Sequence, residues 1–282
     1  MKAIETINLS YTYPDGTKAI ENINFNLEKG KNIAILGPNG AGKSTLLHHF
    51  NGLLMPISGK VNVLGKEVTK QNLDEIRQKV GLVFQDPDDQ LFARTVALDV
   101  AFGPTNLKLS KAEIEQRVQW ALDVTDLKDL ANKSPSNLSG GQKRRASIAG
   151  VLAMKPEIII LDEPMSNLDP KTSSKVLKLL MQLNKELGIT LIIATHDVDL
   201  VPLFADEICI LNKGQIVMQG PPQEVFANTE LIRSVDLRLP RIAHLFEILS
   251  KKNQLLTDKQ LPLTIGEARK EILELLEAGN KH

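Results

Sequence analysis

The chain has 282 residues, of which 42% are hydrophobic, enough to build the core of one large domain or two modest ones. Its 34 basic and 34 acidic residues balance, which argues against a protein that binds nucleic acid through a strongly basic surface. Cys209 is the single cysteine, so the chain has no internal disulfide, and its apolar neighbours are typical of a buried thiol in a reducing compartment. No apolar run approaches the roughly 20 residues of a membrane-spanning helix, and no signal peptide is expected. A role at a membrane would therefore require a partner.

The chain begins with two predicted β-strands. Residues 3–11 indicate the first, and the alternation of apolar and polar side chains over residues 23–27 indicates an antiparallel strand with one buried face. Tyr13 stands between them. Its ring would either stack on the adenine of a nucleotide or pack on the core at a strand edge, and the residues alone favour neither interpretation.

The next segment carries the motif around which the chain is organised. It matches G-x-x-x-x-G-K-[ST], the P-loop, with Gly37, Pro38, Asn39, Gly40, Ala41, Gly42, Lys43 and Ser44. The apolar residues 32–36 before it predict a parallel strand buried on both faces. Apolar residues at helical spacing follow it: Leu46, Leu47, Phe50, Leu53 and Leu54. The motif therefore lies on a predicted strand-to-helix turn.

This turn predicts a phosphate-binding site. Glycines allow backbone N–H groups to approach phosphate oxygens, and the N-terminus of a helix adds unpaired donors and a partial positive charge. Lys43 is expected to reach the β- and γ-phosphates of a nucleotide, and the Ser44 hydroxyl is expected to ligate Mg²⁺. A chance glycine-rich turn is a poor alternative, because the flanking strand and helix agree with the motif.

Residues 57–65 and 80–85 predict two further strands. Gln85, at the end of the second, is a candidate contact for Mg²⁺ or for an attacking water, although a polar strand end is by itself unremarkable. Residues 86–155 then predict mostly helix, with a capping box at Ser110 and Glu113, and indicate an inserted helical subdomain.

The run from Leu138 to Gln142 opens another predicted helix. Ser139 and Gln142 have capping-box spacing, and Gly140 and Gly141 lie between them, at a possible second phosphate site. A flexible helix entry would explain a lone Ser-Gly-Gly, but the full pentapeptide is more specific.

Two acids end the buried strand predicted over residues 158–162. Asp162 and Glu163 would lie at the carboxyl end of a parallel strand, where ligands bind in open α/β sheets. Asp162 is a candidate for holding Mg²⁺ through water, and Glu163 for orienting or deprotonating the attacking water. The alternative is a pair of acids that face solvent.

The following helix is predicted to begin with Asp169 as N-cap and Pro170 in its first turn, and to end at Gly188. His196 follows the strand predicted over residues 189–195. It could bond a γ-phosphate, although a solitary histidine is more often structural.

The remainder predicts a hairpin over residues 208–218, a helix after Pro240, a polar linker over residues 251–262 and a last helix opened by the capping box at Thr264 and Glu267. This tail adds no chemical motif. We expect it to be a docking or dimerisation appendage.

Taken together and in order, the P-loop, Gln85, the 138–142 run, the two acids, Asp169 and His196 resemble the ATP-binding cassette (ABC) ATPases of transporters, over roughly the first 230 residues. The resemblance implies an α/β P-loop NTPase core with an antiparallel β subdomain, an inserted α-helical subdomain and a small helical C-terminal extension. The implied ABC ATP-binding domain is 1–235, with a RecA-like core over 1–85 and 156–235 and a helical signature subdomain over about 86–155, and the extension is 236–282.

The same resemblance implies a mechanism. Two cassettes, which are copies or paralogues, dimerise head to tail. Each ATP lies between residues 37–45 of one chain, the last of which is Thr45, and residues 139–142 of the other. Glu163 acts as base, with His196 on the γ-phosphate and Tyr13 against adenine. Mg²⁺ is bound by Ser44, Gln85 and Asp162.

A finer resemblance lies in residues 86–92, from Asp86 to Phe92, which are similar to the Q-helix segment of energy-coupling factor (ECF) importers. It implies contact with a transmembrane scaffold subunit, and indirectly with a small membrane substrate-binding subunit, at the cytoplasmic face of the membrane. Residues 238–241 and the tail are most similar to the cobalt or nickel type, whose cargo would be a metal ion, or else a vitamin. A conventional ABC importer ATPase and, less favoured, a soluble non-transport ABC ATPase remain alternatives.

Overall fold

The computed structural model describes residues 1–250 and 260–279. The strands of this part are β1 (Lys2–Thr12), β2 (Lys18–Glu28), β3 (Asn32–Leu36), β4 (Ser58–Val63), β5 (Lys66–Glu67), β6 (Val80–Val83), β7 (Ile158–Asp162), β8 (Thr190–Ala194), β9 (Glu207–Asn212) and β10 (Gln215–Gly220). The α-helices are α1 (Lys43–Phe50), α2 (Leu73–Lys79), α3 (Val96–Asn106), α4 (Lys111–Val124), α5 (Gly140–Leu152), α6 (Pro170–Leu187), α7 (Pro222–Ala227), α8 (Thr229–Ser234), α9 (Arg241–Ser250) and α10 (Ile265–Gly279).

A six-stranded sheet in the order β10-β9-β3-β8-β7-β6 forms the centre of the molecule. Strands β9, β3, β8, β7 and β6 run parallel, and β10 returns antiparallel to β9 as the predicted hairpin. Every residue of β3, β7 and β8 is buried, as expected for parallel strands covered on both faces. The carboxyl ends of β3, β6, β7 and β8 therefore lie along one edge of the sheet, where the candidate residues follow them.

The central sheet separates two hydrophobic cores. Side chains alternate along β3, so Ile33 and Ile35 enter one core, and Ala34 and Leu36 enter the other. The first of these cores also holds the inner face of the antiparallel sheet β2-β1-β4-β5. The predicted α/β fold with an antiparallel β subdomain is confirmed.

The predicted helical segment lies between β6 and β7 and contains α3, α4 and α5. The capping box at Ser110 is present, because its side chain accepts the Glu113 N–H while the Glu113 side chain returns to the Ser110 backbone. Trp120 of α4 is half-buried against the core. The helical prediction for this segment is confirmed.

The prediction for the first helix was wrong at its end. Helix α1 stops at Phe50, so Leu53 and Leu54 lie beyond it, and Leu53 is 47% exposed. The chain turns at Gly52, whose φ of 69° is in the left-handed region, and both leucine N–H groups bond to the carbonyl of His48. Helical spacing continued past the true helix end by coincidence.

The C-terminal helices α9 and α10 appear where the sequence predicts them, and Thr264 and Glu267 form the expected capping contacts. Leu239 and Ala243 are buried in the core that also holds Val198. The beginning of the extension therefore packs on the same core as the central sheet. The predicted linker over residues 251–262 lies mostly outside the described residues. No described helix is long and apolar enough to cross a bilayer.

Candidate nucleotide-binding site

The P-loop leaves the N-terminus of α1 open to a ligand. Gly42 is the N-cap, with a φ of 100°, and no side chain caps the helix. A Cβ at Gly42 would lie 2.6 Å from the carbonyl oxygen of Ala19, so glycine is required here by both conformation and space. The first N–H groups of α1 are thus available to an anion such as phosphate.

Lys43 is held inside this loop. Its side chain is buried, and its Nζ donates to the carbonyl oxygens of Gly37 at 2.8 Å and Pro38 at 3.1 Å. Burial lowers the pKa of Lys43, while the charges of Glu163 and Asp162 oppose this effect. The lysine therefore lies close enough to both carboxylates to interact with them electrostatically.

A cavity of about 600 Å³ joins the P-loop to the acids and the histidine. Its lining includes half of the predicted site residues: Gly37, Pro38, Asn39, Lys43, Ser44, Gln85, Asp162, Glu163 and His196. These residues meet because β3, β6, β7 and β8 end at one edge of the sheet. Gln85 stands two residues beyond the end of β6, which stops at Val83 and is shorter than predicted.

Glu163 and His196 are in direct contact. The Nδ1 of His196 lies 2.9 Å from Oε2 of Glu163. The Glu163 side chain is 10% exposed and that of His196 is 68% exposed. Glu163 has a φ of 47°, and its backbone is held by Ala194 through its N–H and by Ser166 through its carbonyl oxygen. The left-handed conformation of this non-glycine residue is therefore fixed by its surroundings.

Tyr13 lies beside α1, and its hydroxyl is 3.0 Å from Oγ1 of Thr45. Its half-buried ring packs edge-on against Tyr11 at 5.2 Å between centroids. The position is adjacent to the P-loop helix, as the adenine-stacking prediction requires, but it does not distinguish that role from packing at a strand edge.

The 138–142 run behaves differently from the P-loop. Ser139 caps α5 through the predicted capping box with Gln142. Gly141 packs so closely on α6 that a Cβ would lie 2.2 Å from Cγ2 of Thr172. Among the residues the structure describes, none from 139 to 142 lines the cavity of the P-loop. The two predicted phosphate-binding elements of one chain do not share a site.

This arrangement matches one protein family. The family model described as ABC transporter matches residues 20–166. The chain belongs to the ABC transporter family. The prediction of an ATPase is thereby confirmed.

Among curated relatives, the energy-coupling factor transporter ATP-binding protein EcfA of Methanococcus maripaludis is 54% identical over 278 residues, covering 98% of this chain and 99% of the relative. The solved structure of cbiO1 from Clostridium perfringens, part of the ABC transporter complex cbiONQ, has a TM-score of 0.76 and 49% identity, covering 87% of this chain and 99% of that one. The ATP-binding cassette MJ0796, in a dimeric post-hydrolysis state with ADP and phosphate, has a TM-score of 0.70 and 33% identity over 77% of this chain and 98% of its own. The resemblance to ECF-type ATPases is confirmed.

The donor set of the ABC site suits Mg²⁺. Among the described residues, no group of three or more His, Cys, Asp or Glu side chains is arranged to hold a metal by itself. The cavity instead offers a hydroxyl from Ser44, an amide oxygen from Gln85 and a carboxylate from Asp162. Mg²⁺ prefers such oxygen donors and completes its shell with phosphate and water, so these residues fit the ion.

Arg144 is a structural residue that the sequence reasoning missed. It lies on α5, is 2% exposed, and donates to the carbonyl oxygens of Phe84 at 2.7 Å and Gln85 at 2.6 Å. Burial lowers its pKa, with Asp86 and Asp162 opposing. It therefore joins α5 to the backbone that carries Gln85. In the sequence, only its position just after the 138–142 run could have indicated its role, because its partners lie about 60 residues away.

The predicted Q-helix segment is shorter than a true α-helix. Pro87 to Asp89 form one 3-10 turn, capped by the side chain of Asp86, which accepts the Asp88 N–H. Asp88 also pairs with Lys143 of α5 at 2.6 Å. The carboxylate of Asp88 is thus already paired within the chain, and we expect Asp89 to be the better probe of an outside partner.

Proposed function

We propose that this chain is the ATP-binding and hydrolysing subunit of an energy-coupling factor importer. The observation that carries the proposal is the single cavity that joins Lys43, Asp162, Glu163 and His196 at one sheet edge. The names of relatives at about half identity, EcfA and cbiO1, support the importer class. The substrate of the reaction is ATP, and the transported cargo would be cobalt or nickel ions, or a vitamin.

In this proposal the P-loop binds the phosphates of ATP. The N–H groups at the start of α1 and the Lys43 ammonium contact the β- and γ-phosphates, and the ring of Tyr13 lies against adenine. Ser44, Gln85 and Asp162 would hold Mg²⁺, which would supply positive charge beside the phosphate oxygens. The remaining P-loop residues shape the cradle.

Hydrolysis requires a base beside the γ-phosphate. Glu163 orients a water and accepts its proton as the water oxygen bonds to the γ-phosphorus. The bond from that phosphorus to the bridging oxygen breaks, and the electron pair leaves with ADP. His196, held 2.9 Å from the Glu163 carboxylate, fixes that carboxylate and donates toward the γ-phosphate. Gln85 helps to place the water.

The ATP site is completed by a second cassette, a copy or a paralogue. Residues 139–142 lie outside the cavity of their own chain, so they are available to the ATP of a partner. The Ser139 hydroxyl and the N–H groups of Gly140 and Gly141 would close over the γ-phosphate. The dimeric structures of MJ0796 support such a pairing. Release of phosphate would then open the dimer.

The chain would act at the cytoplasmic face of the membrane as a peripheral subunit. Its contact with a transmembrane scaffold would lie at residues 86–92, where Phe92 is 66% exposed and Asp89 faces solvent. A small membrane protein that binds the cargo would join through the scaffold. Basic residues on the scaffold would complement the exposed acid.

Affinity purification tests this assignment. The tagged chain is isolated from gently solubilised membranes of its own cells, and co-purifying proteins are identified by mass spectrometry. We expect a transmembrane scaffold and a small substrate-binding membrane protein. Recovery of a dedicated permease pair would instead indicate a conventional ABC importer, and recovery of soluble proteins alone would refute a transport role.

A further inference from the structure

The C-terminal extension reaches the nucleotide cavity. Asp236, Leu237 and Arg238 line the same cavity as the P-loop and His196. They belong to the stretch between α8 and α9, which carries none of the ATP-binding or hydrolysis motifs. Part of the wall beside the proposed γ-phosphate position is therefore built by residues that the motif-based mechanism does not use.

An ion-pair cluster fastens this stretch to the loop that carries His196. The guanidinium of Arg238 lies 2.7 Å from Oδ2 of Asp199 and 3.7 Å from Oδ1 of Asp197. Oδ1 of Asp199 also accepts the backbone N–H of Arg241 at 2.6 Å. Burial alone would raise the pKa of Asp199, but the hydrogen bonds from Arg238 and Arg241 outweigh burial and lower it.

We define residues 196–199 as the switch loop. Two of its backbone N–H groups make short-range bonds, from the N–H of Asp197 to Thr195 Oγ1 and from the N–H of Asp199 to Asp197 Oδ1. Val198 anchors its centre in the core. Asp199 therefore provides the polar attachment of the loop to the C-terminal stretch, three residues after His196.

The cluster is suited to positioning and contributes little to folding. The Arg238 side chain is 50% exposed, and exposed ion pairs add little to stability. Leu239 and Ala243 already hold the stretch in the core by apolar contact. The polar contacts instead restrain the backbone beside His196, whose side chain is itself mostly exposed and contacts Glu163.

We infer that Arg238 is a positioning residue that fixes the switch loop through Asp199, so that the C-terminal extension sets how well His196 is placed for ATP hydrolysis. The inference rests on the proposed function, because it assumes that His196 acts on the γ-phosphate. Small displacements of a catalytic group reduce rate strongly while leaving binding of the substrate largely unaffected.

The test is steady-state ATP hydrolysis and equilibrium nucleotide binding by the full chain. Arg238→Ala should lower kcat on the order of tenfold and leave KM and the nucleotide Kd within about twofold. Arg238→Lys, which keeps the charge, should restore part of the rate. Asp199→Asn should reproduce the loss, because it removes the other half of the pair.

The extension supplies a matched control. Arg233 has a side chain 49% exposed and pairs with Glu247 of α9 at 2.6 Å, but it does not line the nucleotide cavity. Arg233→Ala should keep kcat near that of the unaltered chain. An equal loss in Arg233→Ala would show that general loosening of the extension causes the effect, and this would overturn the inference.

A background variant separates this inference from the proposed function. His196→Ala should abolish most hydrolysis, and adding Arg238→Ala should then cause no further loss. Unchanged kcat in Arg238→Ala, or a raised nucleotide Kd that points to direct contact with ATP, would overturn the positioning role while His196→Ala stayed inactive. Wild-type turnover in His196→Ala would instead refute the proposed role of the histidine, and the inference with it.

Discussion

The N-termini of α1 and α5 present two glycine-rich entries with opposite local chemistry. The start of α1 has a left-handed Gly42 as N-cap and no side-chain cap, and it opens into the cavity that holds Lys43 and the acids. The start of α5 is closed by the capping box of Ser139 and Gln142, and among the described residues it lies outside that cavity.

The difference indicates a division of labour. An uncapped helix start beside a buried lysine can bind phosphate within one chain. A capped and exposed helix start is stable without a ligand, so it can present the Ser139 hydroxyl to the ATP of another chain. The capping bond from the Gln142 N–H to Ser139 Oγ is long, at 3.4 Å, and it leaves the hydroxyl hydrogen available to donate.

The largest effect on ATP turnover is expected at the γ-phosphate, which the N-termini of α1 and α5 would both contact. Glu163→Gln removes the proposed base and should lower ATP turnover by roughly 10²- to 10⁴-fold, because general-base catalysis contributes about that much. Phosphate release by the full chain measures it. Turnover close to that of the unaltered chain would remove Glu163 from the role of base.

Lys43→Ala tests the α1 end alone. It removes a buried cation from the phosphate cradle, and a hydrogen bond to a charged group is worth about 1.5–3 kcal/mol. We expect nucleotide affinity to fall roughly 10- to 100-fold, as measured by equilibrium binding to the single chain. Undiminished binding would contradict the P-loop assignment.

Ser139→Ala tests the α5 end, and the chain offers a matched capping box at Ser110. Both substitutions should cost about 1 kcal/mol of stability, since each removes one N-cap. Ser139→Ala should also lower turnover by about tenfold and leave nucleotide affinity of the single chain unchanged. Thermal unfolding and ATP hydrolysis are measured on both variants to separate capping from a role in hydrolysis. Equal hydrolysis in the two would mean that Ser139 only caps its helix.

The smallest effect concerns a surface that neither helix start requires. Reversing the charges of Asp88 and Asp89 should weaken capture of the membrane partner a few-fold and leave nucleotide binding intact. Asp89→Lys alone should carry most of the change, because Asp88 is paired with Lys143. Co-purification from solubilised membranes measures it, with Asp129→Lys as an exposed control elsewhere in the helical region. Undiminished capture by the double variant would contradict the Q-helix interpretation.

The local sequence pattern was sufficient to predict many of the strands and helix starts of this molecule. The buried run of β3 and the two capping boxes at Ser110 and Ser139 were predictable because period, propensity and cap residues agree there. The meeting of Gln85, Asp162 and His196 was predictable as well, since strand ends share one edge of a parallel sheet.

Long-range contacts between side chains were not predictable. Arg144 reaches the Gln85 carbonyl, and Arg238 reaches Asp199, across 59 and 39 positions of sequence, respectively. Neither pairing follows from helical or strand periodicity, because each depends on how separate elements pack. The early stop of α1 was missed for a local reason, since the turn at Gly52 interrupts a spacing that still resembles a helix.

The composite site is tested most directly by the molar mass of the full-length Glu163→Gln chain in solution, measured by light scattering with and without Mg²⁺ and ATP. The account predicts that the mass doubles with nucleotide, and that adding Ser139→Arg prevents the doubling although nucleotide still binds to the P-loop. A nucleotide-bound chain whose mass does not change, either alone or mixed with a second cassette that co-purifies with it, would contradict the claim that a second chain completes the site. A doubling that survives Ser139→Arg would contradict it as well.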